Sequence, residues 1–204
     1  MRRLTILFLV LFAATLSSYA QTVYFKTGIN NTAYDFKDQN GEKVSGLVPG
    51  VGSSFEMGIG LPLAEEWFKY ELGLSLDSYN ATGGDLNNNY SWNTNYGGVK
   101  NTITFFPTSG EFNLGILAVA GASTIFNGSQ VINNSRYELR NNPEFKGLLL
   151  QAGLGLSLSY NIFNQGFLSL QYDYSKSFRV GEQTDEKLSY LNNRILFGIH
   201  FQLD

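Results

Sequence analysis

Polar and apolar residues alternate with a period of two along most of the sequence, and this pattern constrains the fold more than any other feature. Between residues 67 and 79, for example, Leu72, Leu74 and Leu76 alternate with Gly73 and Ser75. Successive side chains of a β-strand point to opposite faces, so such alternation predicts strands with one apolar and one polar face. The sequence therefore predicts an all-β fold.

Eight segments with this alternation follow residue 20. They lie near Val23–Tyr34, Val51–Leu61, Trp67–Tyr79, Tyr96–Phe106, Phe112–Phe126, Leu148–Tyr160, Phe167–Phe178 and Leu191–Leu203. The fifth segment is apolar on both faces, and its register stays open. Three connections are short (62–66, 107–111 and 161–166), whereas four are longer and polar (35–46, 80–95, 127–144 and 179–189). An even number of strands with short turns on one side and long loops on the other is typical of outer-membrane β-barrels.

The first twenty residues have the pattern of a cleaved signal peptide. A basic start at Arg2 and Arg3 precedes the apolar run Leu4–Leu16, and Ser18-Tyr19-Ala20 offers a small-residue cleavage site. We therefore expect residues 1–20 to be a signal peptide and residues 21–204 to form one domain. After residue 20 no apolar stretch approaches the eighteen or so residues of a membrane helix, so a membrane crossing would have to use strands.

The composition excludes several classes of protein. The chain has no cysteine, which excludes disulfide scaffolds and thiolate metal sites. Its net charge is −3 without a run of like charges, so nothing indicates a nucleic-acid partner.

The aromatic residues predict two belts at the membrane interfaces. One group flanks the short turns (Trp67, Phe68, Phe105, Phe106, Phe112, Tyr160, Phe163 and Phe167), and the other lies near the long loops (Tyr34, Phe36, Tyr79, Tyr96, Phe126, Phe145, Phe178 and Tyr190). Such belts are expected where lipid headgroups meet a barrel. They favour an outer-membrane barrel of a Gram-negative bacterium over a soluble barrel or sandwich, whose apolar face points inward. Both termini would then be periplasmic, with four loops outside the cell.

The sequence also resembles a known family. The residues that carry the resemblance are Phe25-Lys26-Thr27-Gly28-Ile29-Asn30, the strand within 49–63 and the final strand. Residues 21–204 resemble the outer membrane protein β-barrel domain family, in particular the PorT-like group of small porin-fold proteins, with the OmpX and OmpA barrels as wider relatives. The resemblance implies an eight-stranded antiparallel up-and-down transmembrane β-barrel. Through the PorT-like group it also implies an accessory role in a secretion machinery.

The final strand is similar to the signal that the barrel-assembly machinery recognises in its substrates. Gly198, Phe201 and Leu203 stand at the expected spacing. The strand departs from this pattern at Leu196, where a polar residue is usual, and at Asp204, where an aromatic residue is usual.

The polar face would place eight charged residues in the lumen. They are Lys26, Glu56, Lys69, Glu71, Asp77, Lys100, Asp173 and Arg194, four of each sign. Unpaired charges in a narrow lumen are costly, so we expect them to pair. The interior of an eight-stranded barrel is about wide enough to be filled by side chains, which favours a plugged structural or interaction barrel. The alternative is a narrow pore or transport component for ions or small polar solutes, in which inward glycines (28, 52, 58, 60, 73, 153, 155 and 198) leave water-filled space.

Nothing in the sequence nominates an active site. The only histidine, His200, has no serine or cysteine near it along the chain, and Gln202 is its nearest neighbour on the same face. We therefore predict no lipid-modifying or other enzymatic activity, no catalytic residue, no cofactor and no metal site. The expected partners are outer-membrane lipid, the barrel-assembly machinery and an unidentified protein or glycan at the loops.

Overall fold

The computed structural model describes residues 21–37, 41–42, 46–63, 67–84, 89–143, 145–163, 165–180 and 187–203. The predicted signal peptide, residues 1–20, lies outside the described residues. Within the described ranges the regular structure consists of β-strands, and no helix there is long and apolar enough to cross a membrane. The prediction of an all-β fold is confirmed.

The strands are all antiparallel to their neighbours. In chain order they are β1 (Gln21–Lys37), β2 (Val48–Leu63), β3 (Phe68–Gly84), β4 (Asn89–Phe105), β5 (Phe112–Ile132), β6 (Ser135–Glu138), β7 (Leu148–Phe163), β8 (Gly166–Val180) and β9 (Lys187–Leu203). Strand β1 pairs with both β2 and β9, and β4 pairs with β5, so eight long strands close into a barrel. The short strand β6 pairs with the last four residues of β5.

The register of the pairing fixes the shape of the barrel. A path through paired residues starts at Phe25 and returns to β1 at Asp35, ten residues further along, by way of Met57, Leu74, Val99, Ala122, Leu150, Phe178 and Ser189. Eight strands with this stagger must tilt strongly against the barrel axis. We call the end with the short connections and the paired residues Gln21 and Leu203 the turn end, and the opposite end the loop end.

The predicted alternation of faces is present on every long strand, and the outer face is the apolar one. On β9, Ile195, Phe197, Ile199, Phe201 and Leu203 point outward and are 39–52% exposed. Their neighbours Arg194, Leu196 and His200 are buried inside the barrel. The nine residues from Ile195 to Leu203 match the length that a tilted strand needs to cross the apolar part of a membrane.

Towards the loop end the polarity of the barrel reverses. On five strands an outward apolar residue is followed, two positions closer to the loop end, by a polar one: Ile29 by Asn31, Phe55 by Ser53, Leu76 by Ser78, Tyr174 by Lys176 and Ile195 by Asn193. At the same end the interior becomes apolar, with Tyr79, Tyr96 and Tyr190 buried inside. This arrangement suits a barrel that leaves the lipid here and continues into water, where burial favours an apolar interior.

The predicted bounds of the four long loops are wrong, because the strands extend into them. Strand β3 runs to Gly84 and β4 begins at Asn89, so most of the predicted loop 80–95 is paired strand. Polar side chains join neighbouring strands there: the Ser78 hydroxyl donates to Asn95 Oδ1 at 2.6 Å, and the Asn80 amide donates to the Val51 carbonyl at 2.8 Å. Polar residues can continue a strand pair beyond the lipid, and the sequence pattern does not distinguish them from a loop.

The structure also settles the fifth segment, whose register the sequence left open. Leu114, Ile116 and Ala118 point outward, whereas Leu117 and Val119 are buried in the lumen. An irregularity of the pairing at Asn95 and Tyr96 shifts the register nearer the loop end. The predicted loop 127–144 instead contains a hairpin of β5 and β6, whose turn residues Asn133 and Asn134 have φ of 46° and 68°, as a tight hairpin turn requires.

Candidate functional site: the lumen

All eight charged residues that the sequence placed in the lumen lie inside the barrel and form ion pairs. Seven of their side chains are at most 4% exposed, and Lys69 is 13% exposed. They fall into two groups at different depths. We call Glu56, Asp77, Lys100, Asp173 and Arg194 the central group, and Lys26, Lys69 and Glu71 the turn-side group.

Arg194 organises the central group. Its guanidinium donates to both carboxylate oxygens of Asp173, at 3.0 and 2.9 Å, and to Glu56 Oε1 at 2.7 Å. The ammonium of Lys100 lies 3.1 Å from Glu56 and 2.7 Å from Asp77. A two-pronged arginine–carboxylate contact is among the stronger hydrogen-bonded pairs in proteins. Since three carboxylates face two cations, the central group carries a formal charge of −1.

The turn-side group has the opposite balance. The Lys26 ammonium lies 2.5 Å from Glu71 Oε2 and donates to Gln171 at 3.0 Å, and the Lys69 ammonium lies 2.8 Å from Glu71 Oε1. Two cations thus share one carboxylate, which leaves a formal charge of +1 nearer the turn end.

His200 lies beside the turn-side group, with partners that sequence reasoning missed. Its Nδ1 is 3.0 Å from the Lys69 ammonium and its Nε2 is 2.8 Å from Ser169 Oγ, while Glu71 Oε1 lies 3.5 Å from Nδ1. No serine lies near His200 along the chain, but the pairing of β8 with β9 sets Ser169 opposite Gly198 and so brings its hydroxyl beside the histidine. Only the alignment of the two strands reveals this contact.

The hydrogen bonds of His200 do not suit a nucleophilic serine. A protonated lysine only donates, so Nδ1 of a neutral histidine must accept and the ring proton lies on Nε2. Nε2 then donates to Ser169, whereas a catalytic histidine accepts the proton of its serine. The Phe167 ring stacks on the imidazole at 4.1 Å and holds its orientation. The geometry indicates a structural role for this contact.

The loop end of the lumen is closed by a second set of side chains, which we call the tyrosine cluster. Its buried members are Tyr79, Tyr96, Ile125, Leu139, Phe145, Leu149, Leu188 and Tyr190. The hydroxyls of Tyr96 and Tyr190 lie 3.0 Å apart, and the ring centres of Tyr79 and Tyr190 lie 4.9 Å apart. Ring packing and a satisfied hydroxyl pair make this an ordered apolar core.

The tyrosine cluster corrects the predicted aromatic belt near the loops. Of the eight residues assigned to that belt, Phe126 and Phe178 are exposed on the outside, whereas Tyr79, Tyr96, Phe145 and Tyr190 are buried and Tyr34 and Phe36 pack against them. These six aromatic side chains point into the barrel because the outer face of the barrel is polar at this level. The belt at the turn end is present in Trp67, Phe68, Phe112 and Tyr160, all exposed, but Phe167 lies against His200 inside.

The inward glycines do not leave the water-filled space expected of a pore. A Cβ atom added at any of the eight would overlap backbone or side-chain atoms. At Gly73 it would meet the Tyr24 hydroxyl, and at Gly198 it would meet Ser169 Oγ and Lys26 Cγ. At Gly73 and Gly198 the missing side chains make room for larger polar ones, whereas at most of the others the backbone of the neighbouring strand occupies the space, so the expectation of water-filled space there is wrong.

The three residues of the assembly signal lie on both faces of β9. Gly198 is buried and faces the lumen, and Phe201 and Leu203 point outward with about half of each side chain exposed. Leu196, the departure noted in the sequence, is fully buried inside the barrel.

The fold of this chain is similar to the folds of several solved structures. Neisserial surface protein A is similar with a TM-score of 0.50 and 11% identity, over 90% of this chain and 97% of that chain. OprG from Pseudomonas aeruginosa has a TM-score of 0.49 and 11% identity, over 91% of this chain and 96% of that chain. A major outer membrane protein from Thermus thermophilus has a TM-score of 0.48 and 10% identity, over 89% of this chain and 99% of that chain.

The fold is that of the outer-membrane β-barrels. At these identities the likeness concerns the fold alone. No family model and no curated protein sequence matches the chain, so the resemblance to the PorT-like group stays a prediction.

Proposed function

We propose that the protein is an integral outer-membrane barrel with a sealed lumen, which anchors and displays its loop end outside the cell. The observation that carries this proposal is that two separate layers fill the lumen. The central and turn-side groups fill the part surrounded by the apolar outer band, and the tyrosine cluster fills the part beyond it.

The central group is a strong barrier to a passing ion. An ion could pass Arg194 only if the guanidinium left Asp173 and Glu56, both of which are at most 1% exposed. Breaking a buried ion pair leaves uncompensated charges and costs about 3–5 kcal/mol. The pore alternative therefore lacks an observation that favours it, whereas the sealed barrel accounts for both layers.

The loop end supplies a surface for a partner. The β5–β6 hairpin presents Ser135, Arg136, Tyr137 and Glu138, all exposed, on a tight turn. An exposed hairpin with a tyrosine and both signs of charge suits recognition of a protein or a glycan. This surface is where we place the partner expected from the sequence.

We expect the purified protein to show no steady open level in planar lipid bilayers. The reason is that buried side chains of both layers occupy the described part of the lumen. Single-channel recording measures this directly. As a control for insertion, unheated protein recovered from the same lipid should migrate faster on a denaturing gel than heated protein, since a folded barrel resists detergent. A steady open conductance would contradict the sealed lumen.

We also expect thiol labelling of intact cells to distinguish the loop end from the sealed interior. The chain has no cysteine, so single substitutions report cleanly. A membrane-impermeant maleimide should label Ser135→Cys, at the exposed hairpin, but should label Ser75→Cys, inside the barrel, only after denaturation. Thr108→Cys at the turn end is the matched control for orientation, because it should react only once the outer membrane is opened. Labelling of Thr108→Cys but not Ser135→Cys in intact cells would reverse the proposed orientation.

A further inference from the structure

A cavity of about 520 Å³ opens at the turn end of the lumen. Its walls include Phe106 and Phe167, the polar residues Thr22 and Asn113, and one charged residue, Lys69. We call it the turn-end cavity. Its volume and mixed lining are those of sites that hold small organic molecules or short peptide ends.

The cavity lies beside an excess of positive charge. Lys69 is the most exposed of the eight lumen charges, and the turn-side group to which it belongs carries a formal charge of +1. The Lys69 ammonium donates to Glu71 and to His200, and it lies 4.2 Å from the centre of the Phe167 ring. An ammonium has three hydrogens, and among the described residues two hydrogen-bond acceptors are found for this one. A carboxylate in the cavity would accept a hydrogen bond from the third N–H and balance the charge.

Two other lining residues have polar atoms without partners. Among the described residues Thr22 Oγ1 and Asn113 Oδ1 are buried and have no hydrogen-bond partner. The Asn113 amide nitrogen already donates to the Gly110 carbonyl at 3.2 Å, which leaves its oxygen as an acceptor. Buried acceptors without a donor are unfavourable, so a ligand that brings an N–H or O–H group would be stabilised here.

We infer that the turn-end cavity binds the carboxyl-terminal end of a peptide. The terminal carboxylate would contact Lys69, a peptide N–H would donate to Asn113 Oδ1, and an apolar side chain would pack on the phenylalanine rings. A fatty acid offers the carboxylate and the apolar group but no donor for Asn113. This inference goes beyond the sealed barrel, since a cavity that opens at one end binds its ligand whether or not ions cross the barrel.

The test uses the acetylated tripeptide alanyl-alanyl-phenylalanine as the probe, with a free carboxylate or as its carboxamide. Isothermal titration calorimetry on the folded protein in detergent should show saturable one-to-one binding of the free acid. The carboxamide should bind at least tenfold more weakly, because it lacks the charge that Lys69 attracts. Equal affinities, or no saturable binding of the acid at millimolar concentrations, would overturn the inference.

Three variants test the contacts of the ligand one at a time. Lys69→Met should weaken the acid at least tenfold and leave the carboxamide unchanged, whereas Asn113→Leu should weaken both. Lys176→Met, which replaces an exposed lysine on the outer face of β8 that does not line the cavity, should bind as the native protein does. Each variant is scored only as folded protein, recognised by its heat-dependent gel mobility. Should Lys69→Met fail to fold, Asn113→Leu and the acid–carboxamide pair decide the question.

A fatty acid serves as the second arm of the test. Decanoate should bind more weakly than the free-acid peptide, and its affinity should not change in Asn113→Leu. The inference of a peptide ligand would be overturned if decanoate bound as tightly as the peptide and Asn113→Leu changed neither affinity. That result would assign the site to a lipid carboxylate.

Discussion

Replacing Arg194 with methionine is expected to lower the free energy of unfolding by about 3–5 kcal/mol, the largest effect of any single substitution in the lumen. Arg194 is fully buried and contacts Asp173, Glu56 and Asp77. Methionine fills much of the same volume but donates no hydrogen bond. Three buried carboxylates would then face Lys100 alone within the central group.

The measurement is the fraction of unheated, fast-migrating protein at increasing urea concentration in a fixed lipid or detergent. Lys176→Met is the control, because Lys176 is exposed on the outer face of β8 and its loss should change stability by about 0.5 kcal/mol or less. An effect of Arg194→Met no larger than this control would contradict the role of the central group.

A second substitution tests whether charge, rather than packing, causes the effect. Asp173 accepts two hydrogen bonds from Arg194, so its carboxylate loses the most when Arg194 is replaced. Asp173→Asn removes the negative charge of this carboxylate. The double variant Arg194→Met and Asp173→Asn should be less destabilised than the sum of the two single variants. Strict additivity would show that the two side chains do not act as a pair.

The second large effect is expected on the outer face. Leu154 points outward near the middle of β7 and is 67% exposed. In a lipid bilayer Leu154→Arg should cost about 2–4 kcal/mol, because an arginine at the middle of the membrane loses its hydration. In water the same exposed position would tolerate arginine within about 0.5 kcal/mol. The substitution therefore distinguishes a lipid-facing surface from a water-facing one.

Leu203→Arg is the matched control for depth. Leu203 points outward at the end of β9, where long basic side chains reach the interface, and the expected cost falls to about 0–1 kcal/mol. Both variants are measured by urea unfolding in phospholipid vesicles. Equal costs at Leu154 and Leu203 would show that depth along the barrel does not matter, against a membrane-spanning band.

The faces of the strands could be predicted from the sequence, whereas several contacts of the site could not. Alternation is a local property of strand geometry, so the sequence pattern places Lys26, Glu71 and Arg194 on the polar faces of their strands. The choice of partners is not local: Arg194 and Glu56 are 138 residues apart and meet only when β1 joins β2 to β9. The contact of His200 with Ser169 likewise needs the alignment of β8 with β9.

By itself the sequence determined an all-β chain of amphipathic strands with a polar set of side chains to enclose, because side-chain direction follows from strand geometry alone. The tertiary structure decided how the lumen is filled. It paired the charges in two groups, it set Gly73 and Gly198 against Tyr24, Lys26 and Ser169, and it turned Tyr79 and Tyr190 inward at the loop end. The inward position of Tyr79 and Tyr190 depends on where along the barrel axis the polar outer wall begins. That position follows from the stagger of eight closed strands, which no single segment of the sequence contains.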